Sequence, residues 1–235
     1  MTDLGREVTL EFIRVTEAAA LKASRWMGRG DKNAADQAAV DAMRGMLDLV
    51  NVRGRIVIGE GEKDQAPMLY VGERVGGGGL RDPEVDIAVD PIDGTTLTSR
   101  GLPNAISVIA VGNEGTLASL PSYYANKIAV GPEAKGSVDI EAPVKDNLER
   151  VAKVYGVRMS ELTAIVLDRP RHDEMIKEIR ETGARIKLIS DGDVAGAIAT
   201  ATEDSGVNIL FGIGGSTEAS SSAVGTGGAA AKVST

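Results

Sequence analysis

The chain contains no cysteine and a single histidine, His172. The missing thiols exclude disulfides, thiolate zinc sites, iron–sulfur clusters and a cysteine nucleophile at once, and they fit a reducing compartment. Aromatic residues make up only 3 % of the chain, and no lysine- or arginine-rich stripe interleaves with them. Acids outnumber bases by 34 to 26, giving a net charge of −8, so neither nucleic acid nor an anionic membrane surface is an expected partner. No unbroken apolar run resembles a signal peptide or a membrane span; Asp3, Arg6, Glu7, Glu11, Arg14 and Glu17 interrupt the first thirty residues. The expectation is a soluble, cytoplasmic protein. An acidic protein can still hold an anionic small molecule where cations or backbone N–H groups gather.

What is present is ample apolar material. Of 235 residues 43 % are hydrophobic, enough for a core that needs no covalent staples. Helical spacing of Val8, Phe12, Val15, Ala19 and Trp26 predicts a helix over 7–27, and Asp31 can cap a second reaching about residue 50. Short β-rich runs follow at 55–59, 68–71, 85–89, 106–112, 116–120 and 127–130. The first half thus reads as helices on a mixed or antiparallel sheet. The glycines at 76–79 read as a flexible loop tip rather than a phosphate cradle, because no Lys-Ser/Thr follows them.

After Pro143 the rhythm changes. A helix over 146–155 leads into strand 164–167, helix 171–181, strand 185–189, helix 194–202 and strand 207–211. Such a βαβαβ alternation predicts three parallel strands sharing a carboxyl edge, where ligands bind. That edge carries Asp168-Arg169-Pro170-Arg171-His172, Ser190-Asp191-Gly192-Asp193 and Gly212-Ile213-Gly214-Gly215. His172 is expected to pack or cap at a helix start, with direct phosphate contact as the alternative. From Ser220 onward the text is low in complexity and reads as disordered. The expected organisation is a metal-binding subdomain over 1–140, an incomplete parallel α/β subdomain over 141–219 and a tail over 220–235.

Three acidic stations stand at the ends of regular elements. In the second helix, Lys32 and Asp36 extend the apolar stripe of Val40, Met43 and Leu47 backwards; they are either an exposed ion pair or a pair facing a polar cleft. In "IVIGEGEKD", Gly59 and Gly61 flank Glu60, with Glu62 one step on, which lets backbone approach closely. In "VDIAVDPIDGTTL", Asp86, Ala88 and Asp90 share one face of a strand and Ile87 and Val89 the other. Pro91 is expected to end the ladder, and Gly94 to turn it into a helix capped by Thr95 or Thr96. Oxygen donors without cysteine suit hard cations such as Mg²⁺ or Mn²⁺, which can activate water and clamp a phosphoryl group.

Asp90-Pro91-Ile92-Asp93-Gly94-Thr95 matches the D-P-[IL]-[DE]-G-[ST] motif of the lithium-sensitive, metal-dependent sugar phosphatases. With "GRGDKNAAD", "VIGEGEKDQAPMLY", "DIAVDPIDGTT", "KIAVGPEAKG", "DRPRHDEMIKEI", "LISDGDVAGAI" and "GIGG" in order, the chain resembles class II fructose-1,6-bisphosphatase. The resemblance implies a layered α/β sandwich, a mixed sheet in the first half and a parallel βαβαβ segment in the second. It implies Mn²⁺ or Mg²⁺ on Asp36, Glu60, Asp90, Asp93 and Glu218. Substrate contacts fall on Asp93, Gly94, Thr95, Tyr124, Arg169, Pro170, Arg171, Asp191, Gly192, Asp193 and Gly215, with Lys32, Asp93 and Thr95 catalytic. It further implies hydrolysis of fructose 1,6-bisphosphate in gluconeogenesis, a second substrate in sedoheptulose 1,7-bisphosphate, and a homo-oligomer. The chain departs from the family's Gly-Gly-x-Pro-Glu-Gly pattern at Gly214-Gly215-Ser216-Thr217-Glu218-Ala219, where the proline and last glycine are missing, and truncation is expected. The alternatives are a remnant that only binds metal or sugar phosphate, and an inositol monophosphatase-like enzyme.

Overall fold

Val85, Ile87 and Val89 are buried on one side of a strand and Asp86 and Ala88 on the other, the period-2 alternation of a strand with both faces covered. The structure, a computed structural model, describes residues 6–61, 67–117, 125–215 and 231–234. The chain divides into two compact units, Met1–Ser119 and Leu120–Thr235.

In the first unit, helices α1 (Arg6–Ala23) and α2 (Lys32–Leu47) precede strands β1 (Arg53–Ile58), β2 (Arg74–Val75) and β3 (Glu84–Asp93), helix α3 (Thr95–Arg100) and strand β4 (Ile106–Asn113). The sheet order is β2-β1-β3-β4, with β1 parallel to β3 and the other pairs antiparallel. The first half is therefore a mixed sheet. Phe12, Val15, Ala19, Ala39, Met43 and Leu47 of the two helices pack on Ile56, Ile87 and Val89 of one sheet face, while Val57, Ile58, Ala88 and Ala110 cluster separately.

Asp86 is fully buried beneath that second cluster and is held by Arg55 Nη2 at 3.1 Å and by the N–H groups of Gly115 at 2.7 Å and Leu117 at 3.3 Å. Burial alone would raise its pKa, but those donors hold the carboxyl below its ordinary value of 3.8. A carboxyl with a depressed folded pKa contributes stability above its unfolded pKa and loses it as pH falls. Asp86→Ala should therefore cost about 2–3 kcal/mol at neutral pH through the donors it orphans. The gap to wild type in a urea titration should narrow as pH drops below about 4.

Two expected features of this unit differ in the structure. Residues 68–71 form a turn rather than a strand: Leu69 adopts φ +56°, and its N–H donates to the Glu73 carboxylate. The glycines at 76–79 are no loop tip. A Cβ on Gly76 would lie 2.1 Å from the Val52 carbonyl oxygen and one on Gly77 2.5 Å from that of Asp48. The N–H groups of Gly77 and Gly78 already donate to Val50 and Val52, so these glycines permit close backbone packing.

The second unit contains β5 (Ala125–Val130), α4 (Val144–Tyr155), β6 (Thr163–Leu167), α5 (Asp173–Glu181), β7 (Arg185–Ile189), α6 (Asp193–Thr200), β8 (Ile209–Gly214) and β9 (Ala231–Ser234). Its sheet runs β7-β6-β8-β5-β9. Strands β7, β6 and β8 are mutually parallel, as the βαβαβ rhythm requires, whereas β5 and β9 are antiparallel additions. Helices α4 and α5 cover one face through Leu148, Val151, Ile176 and Ile179, and α6 covers the other through Ala197. The result is an α/β sandwich. Strand β5 was expected with the first sheet, and residues 231–234 were expected to be disordered; the two pair with each other from Asn126↔Ser234 to Ala129↔Ala231.

Candidate functional site

In the first unit Glu60, Asp90 and Asp93 fall beyond the last residues that pair β1 with β3. The two strands are parallel with Ile58 opposite Ala88; β1 ends there, two residues before Glu60, while Asp90 is still paired in β3, opposite Val108 of β4. Glu60 is exposed, Asp90 half-buried, and Asp93 only 5 % exposed. Pro91 does not end the ladder as expected: β3 runs on to Asp93, opposite Ile106, with a register irregularity between Asp90 and Asp93. A proline offers no N–H to a ladder, and a bulge is where a strand can accommodate one. The close approach permitted by Gly59 is by the chain itself, since a Cβ there would lie 2.0 Å from the Leu69 carbonyl oxygen.

Helix α3 begins directly after Asp93. Gly94 occupies its N-cap with φ +98°, and neither Thr95 nor Thr96 supplies a cap, which corrects the expectation from sequence. The positive φ is what allows the strand to turn sharply into the helix. Thr95 is the first helical residue and is half-buried.

The start of α2 is tied to α3. Gly28 donates to the Thr98 carbonyl at 3.0 Å and Gly30 to that of Ser99 at 2.8 Å. Asp31 then caps α2, its Oδ1 accepting from Ala34 N–H at 2.9 Å. Lys32 is exposed and Asp36 half-buried, and no ion pair joins them. Burial pushes the Asp36 carboxyl above its ordinary value of 3.8, since no cation among the described residues offsets the lost hydration.

Among the described residues, no three acidic or histidine side chains stand close enough together to hold a metal ion. The donor chemistry nevertheless suits a hard divalent cation: Asp36, Glu60, Asp90 and Asp93 offer only oxygens, and half-buried Asp36 is a carboxylate whose charge an ion would offset. Glu62, Tyr124 and Glu218 lie outside the described residues.

In the second unit, the carboxyl edge of the parallel strands carries the expected residues. Arg169 is half-buried, its Nη2 4.0 Å from Asp191 Oδ1. Pro170 opens a 3₁₀ turn, Pro170–His172. Arg171 is exposed, and its Nε donates to the Ile213 carbonyl at 2.7 Å. Asp191 is half-buried, Gly192 caps α6 with φ +83°, and Gly215 follows β8.

His172 is fully buried. Its Nδ1 lies 2.7 Å from the Leu167 carbonyl, and its Nε2 accepts from Ile213 N–H at 2.8 Å. Both ring nitrogens are thus paired with backbone groups, Nε2 also lying 3.2 Å from the Ile213 carbonyl oxygen. Of the two expectations for His172, packing at the helix start is the one observed.

Asp193 has a partner that the sequence reading did not name. It is 8 % exposed, and its Oδ2 accepts from Lys127 Nζ at 2.6 Å; Lys127 itself is 6 % exposed. The pair lies under Gly214, where a Cβ would come within 2.9 Å of Lys127 Nζ and 3.1 Å of Asp193 Oδ2. Sequence reasoning missed Lys127. The available signal was a lysine inside the otherwise apolar run Lys127-Ile128-Ala129-Val130, since a buried cation needs a buried partner.

Residues 6–233 match the family described as bacterial fructose-1,6-bisphosphatase, glpX-encoded. The chain is 54 % identical over 215 residues to the protein named fructose-1,6-bisphosphatase 1 class 2 of Escherichia coli K12, an alignment spanning 92 % of this chain and 63 % of that one. Proteins named fructose-1,6-bisphosphatase class 2 from Escherichia coli O6:H1 and Shigella flexneri align with the same identity and coverage. The chain thus spans 63 % of the length of these curated relatives. Among solved structures, an extragenic suppressor from Pyrococcus furiosus superimposes with a TM-score of 0.42 at 15 % identity, covering 83 % of this chain and 70 % of that one.

Proposed function

From the premise that the chain belongs to the bacterial, glpX-encoded fructose-1,6-bisphosphatase family, we propose that it hydrolyses the 1-phosphate of fructose 1,6-bisphosphate to fructose 6-phosphate and inorganic phosphate. The observation that carries this reading is the family match over 6–233, which contains the acidic edge of the first unit and the arginine-bearing edge of the second.

Asp36, Glu60, Asp90 and Asp93 of the first unit would hold a divalent cation, Mg²⁺ or Mn²⁺; Glu218, the fifth ligand that the family resemblance implies, belongs to the second unit. When bound, such an ion supplies acidified water and neutralises phosphoryl charge. The residues of the chain act around it. Asp93 and Thr95, consecutive but for the hinge of Gly94, orient the attacking water against the phosphorus. Lys32 offsets charge on the phosphoryl oxygens. Water oxygen bonds to phosphorus as the bond from phosphorus to the sugar oxygen breaks, and the sugar oxygen leaves with a proton.

In the second unit, Arg169 and Arg171 present guanidinium forks suited to the phosphate that is not cleaved. Asp191 and Asp193 would accept from sugar hydroxyls, and Tyr124 and Gly215 complete the assigned contacts. Asp193, already paired with Lys127, holds the start of α6 in place. The same reading assigns the chain to gluconeogenesis in the cytoplasm, with sedoheptulose 1,7-bisphosphate as a second bisphosphate substrate.

A substrate comparison tests this. With Mn²⁺ or Mg²⁺ present, phosphate should be released from fructose 1,6-bisphosphate far faster than from inositol 1-phosphate. The reverse preference would move the chain to inositol monophosphatase chemistry. Binding of the bisphosphate without turnover would identify a metal- or sugar-phosphate-binding remnant.

A further inference from the structure

Glu73, just before β2, is a carboxylate buried to 9 % exposure that the assigned site does not use. Both of its oxygens are engaged by protein donors: Oε1 accepts from Arg44 Nε at 2.5 Å, and Oε2 accepts from the Leu69 N–H. Arg44 lies in the last turn of α2 and also reaches Asp48 Oδ1 with Nη1 at 2.5 Å. A charge taken out of water in this way is tolerated because it is both paired and hydrogen-bonded.

What the pair holds in place is the segment 69–73, and that segment carries the backbone partner of Glu60. The Glu60 N–H donates to the Leu69 carbonyl at 3.0 Å, and the Val71 N–H donates to that of Gly61 at 2.9 Å. Leu69 therefore gives its N–H to Glu73 and takes the N–H of Glu60 on its carbonyl. It is fully buried with φ +56°, a left-handed conformation that a leucine keeps only where its surroundings impose it. Gly59 is pressed against the same carbonyl, at a distance that leaves no room for a Cβ. On the other side, the Ile56 N–H donates to the Glu73 carbonyl at 2.9 Å, and the Gly72 N–H donates to that of Ile56 at 2.7 Å. The segment is thus laced to β1 at both ends. Glu60 itself is exposed, so its carboxylate takes its place from the backbone that carries it. The chain of contacts from Arg44 through Glu73 and Leu69 to Glu60 ties the helix bearing Asp36 to the strand end bearing Glu60.

We propose, on the metal-site assignment made above, that Arg44 and Glu73 are positioning residues for the divalent cation: acting through Leu69, they fix the backbone of Glu60 so that its carboxylate is in place before the ion binds. Residues behind metal ligands commonly act this way, and changing them typically weakens metal binding by about 10–100-fold. Calorimetric titration of Mn²⁺ into the chelator-treated full chain, without substrate, tests it. Glu73→Gln keeps the size of the side chain but leaves one acceptor oxygen where there were two, and it should weaken Mn²⁺ binding about tenfold or more with circular dichroism unchanged. Arg44→Gln should weaken it by a similar factor. The double variant Arg44→Gln/Glu73→Gln should be no worse than the weaker-binding single one, because both act through one contact. Asp86→Asn is the control for a purely structural carboxylate. Asp86 is also buried beside an arginine in this sheet, but it holds Gly115 and Leu117, so its variant should lose stability in urea and keep its Mn²⁺ affinity. Unchanged affinity in Glu73→Gln, with a loss in Glu60→Gln, overturns the positioning role and leaves the metal assignment standing. Unchanged affinity in Glu60→Gln as well overturns both. An equal loss of affinity in Asp86→Asn reduces Glu73 to general stability and also overturns the proposal.

Discussion

Asp93→Ala is expected to lower metal-dependent phosphate release from fructose 1,6-bisphosphate by at least about 10²–10³-fold, the cost of losing a group that stabilises the transition state or positions the attacking water. Asp93 is the residue on which the first-unit assignments converge. It ends β3 beyond the irregularity at Pro91 and Ile92, it is only 5 % exposed, and the αL hinge of Gly94 passes directly from it to Thr95. A side chain held on the end of a paired strand is more narrowly positioned than one on a free loop, so its truncation cannot be made good by a neighbour. Steady-state kinetics at saturating metal, with circular dichroism to verify folding, gives the number. A folded Asp93→Ala protein with near wild-type turnover would remove Asp93 from the reaction.

Lys127→Ala should be among the most destabilising single changes in the second unit. It removes the cation facing Asp193 and leaves a carboxylate only 8 % exposed with its 2.6 Å partner gone. Breaking a buried pair from one side typically costs about 3–5 kcal/mol, because the surviving charge loses hydration and attraction together. Against total stabilities of about 5–15 kcal/mol, that is a large fraction. The double change Lys127→Met/Asp193→Leu should recover most of the loss, since replacing both charges with apolar groups of similar size leaves nothing unpaired. Chemical denaturation of the three proteins measures this. Equal losses in the single and double variants would show that the lysine stem packs rather than pairs.

Local signals of the fold were legible where the chemistry is local. Asp31 before an apolar run is an N-cap, and it caps. The alternation of Asp86, Ala88 and Asp90 against Ile87 and Val89 put the acids on one face of a strand, and the two clusters on either side of the sheet agree. The crossover rhythm after Pro143 gave three parallel strands with Arg169, Arg171 and Asp191 at their carboxyl edge. What escaped depended on partners distant in sequence. Strand β5 joins the second sheet because β8, some eighty residues later, pairs with it in antiparallel register, and nothing in Ala125-Asn126-Lys127-Ile128 announces that partner. Gly76, Gly77 and Gly78 looked flexible because the carbonyls of Asp48 and Val52 that crowd them are far away in the chain. For the same reason the buried pairing of Asp193 was not legible. Its partner, Lys127, is sixty-six residues earlier.

The acidic stations were legible as oxygen donors near element ends: Glu60 follows β1, and Asp93 is the last residue of β3. The raised pKa of Asp36 could not be read from sequence, because the i,i+4 spacing to Lys32 suggested an exposed pair. Its cause is burial at the start of α2, and that start is tied to α3 by Gly28 and Gly30.

The most direct measurement is phosphate release from fructose 1,6-bisphosphate by the chelator-treated chain before and after Mn²⁺ or Mg²⁺ is restored, with fructose 6-phosphate quantified in the same samples. The account predicts negligible release without the cation, and with it equal amounts of phosphate and fructose 6-phosphate. Release undiminished by chelation, or no release with the cation present from a chain that is folded, would contradict it.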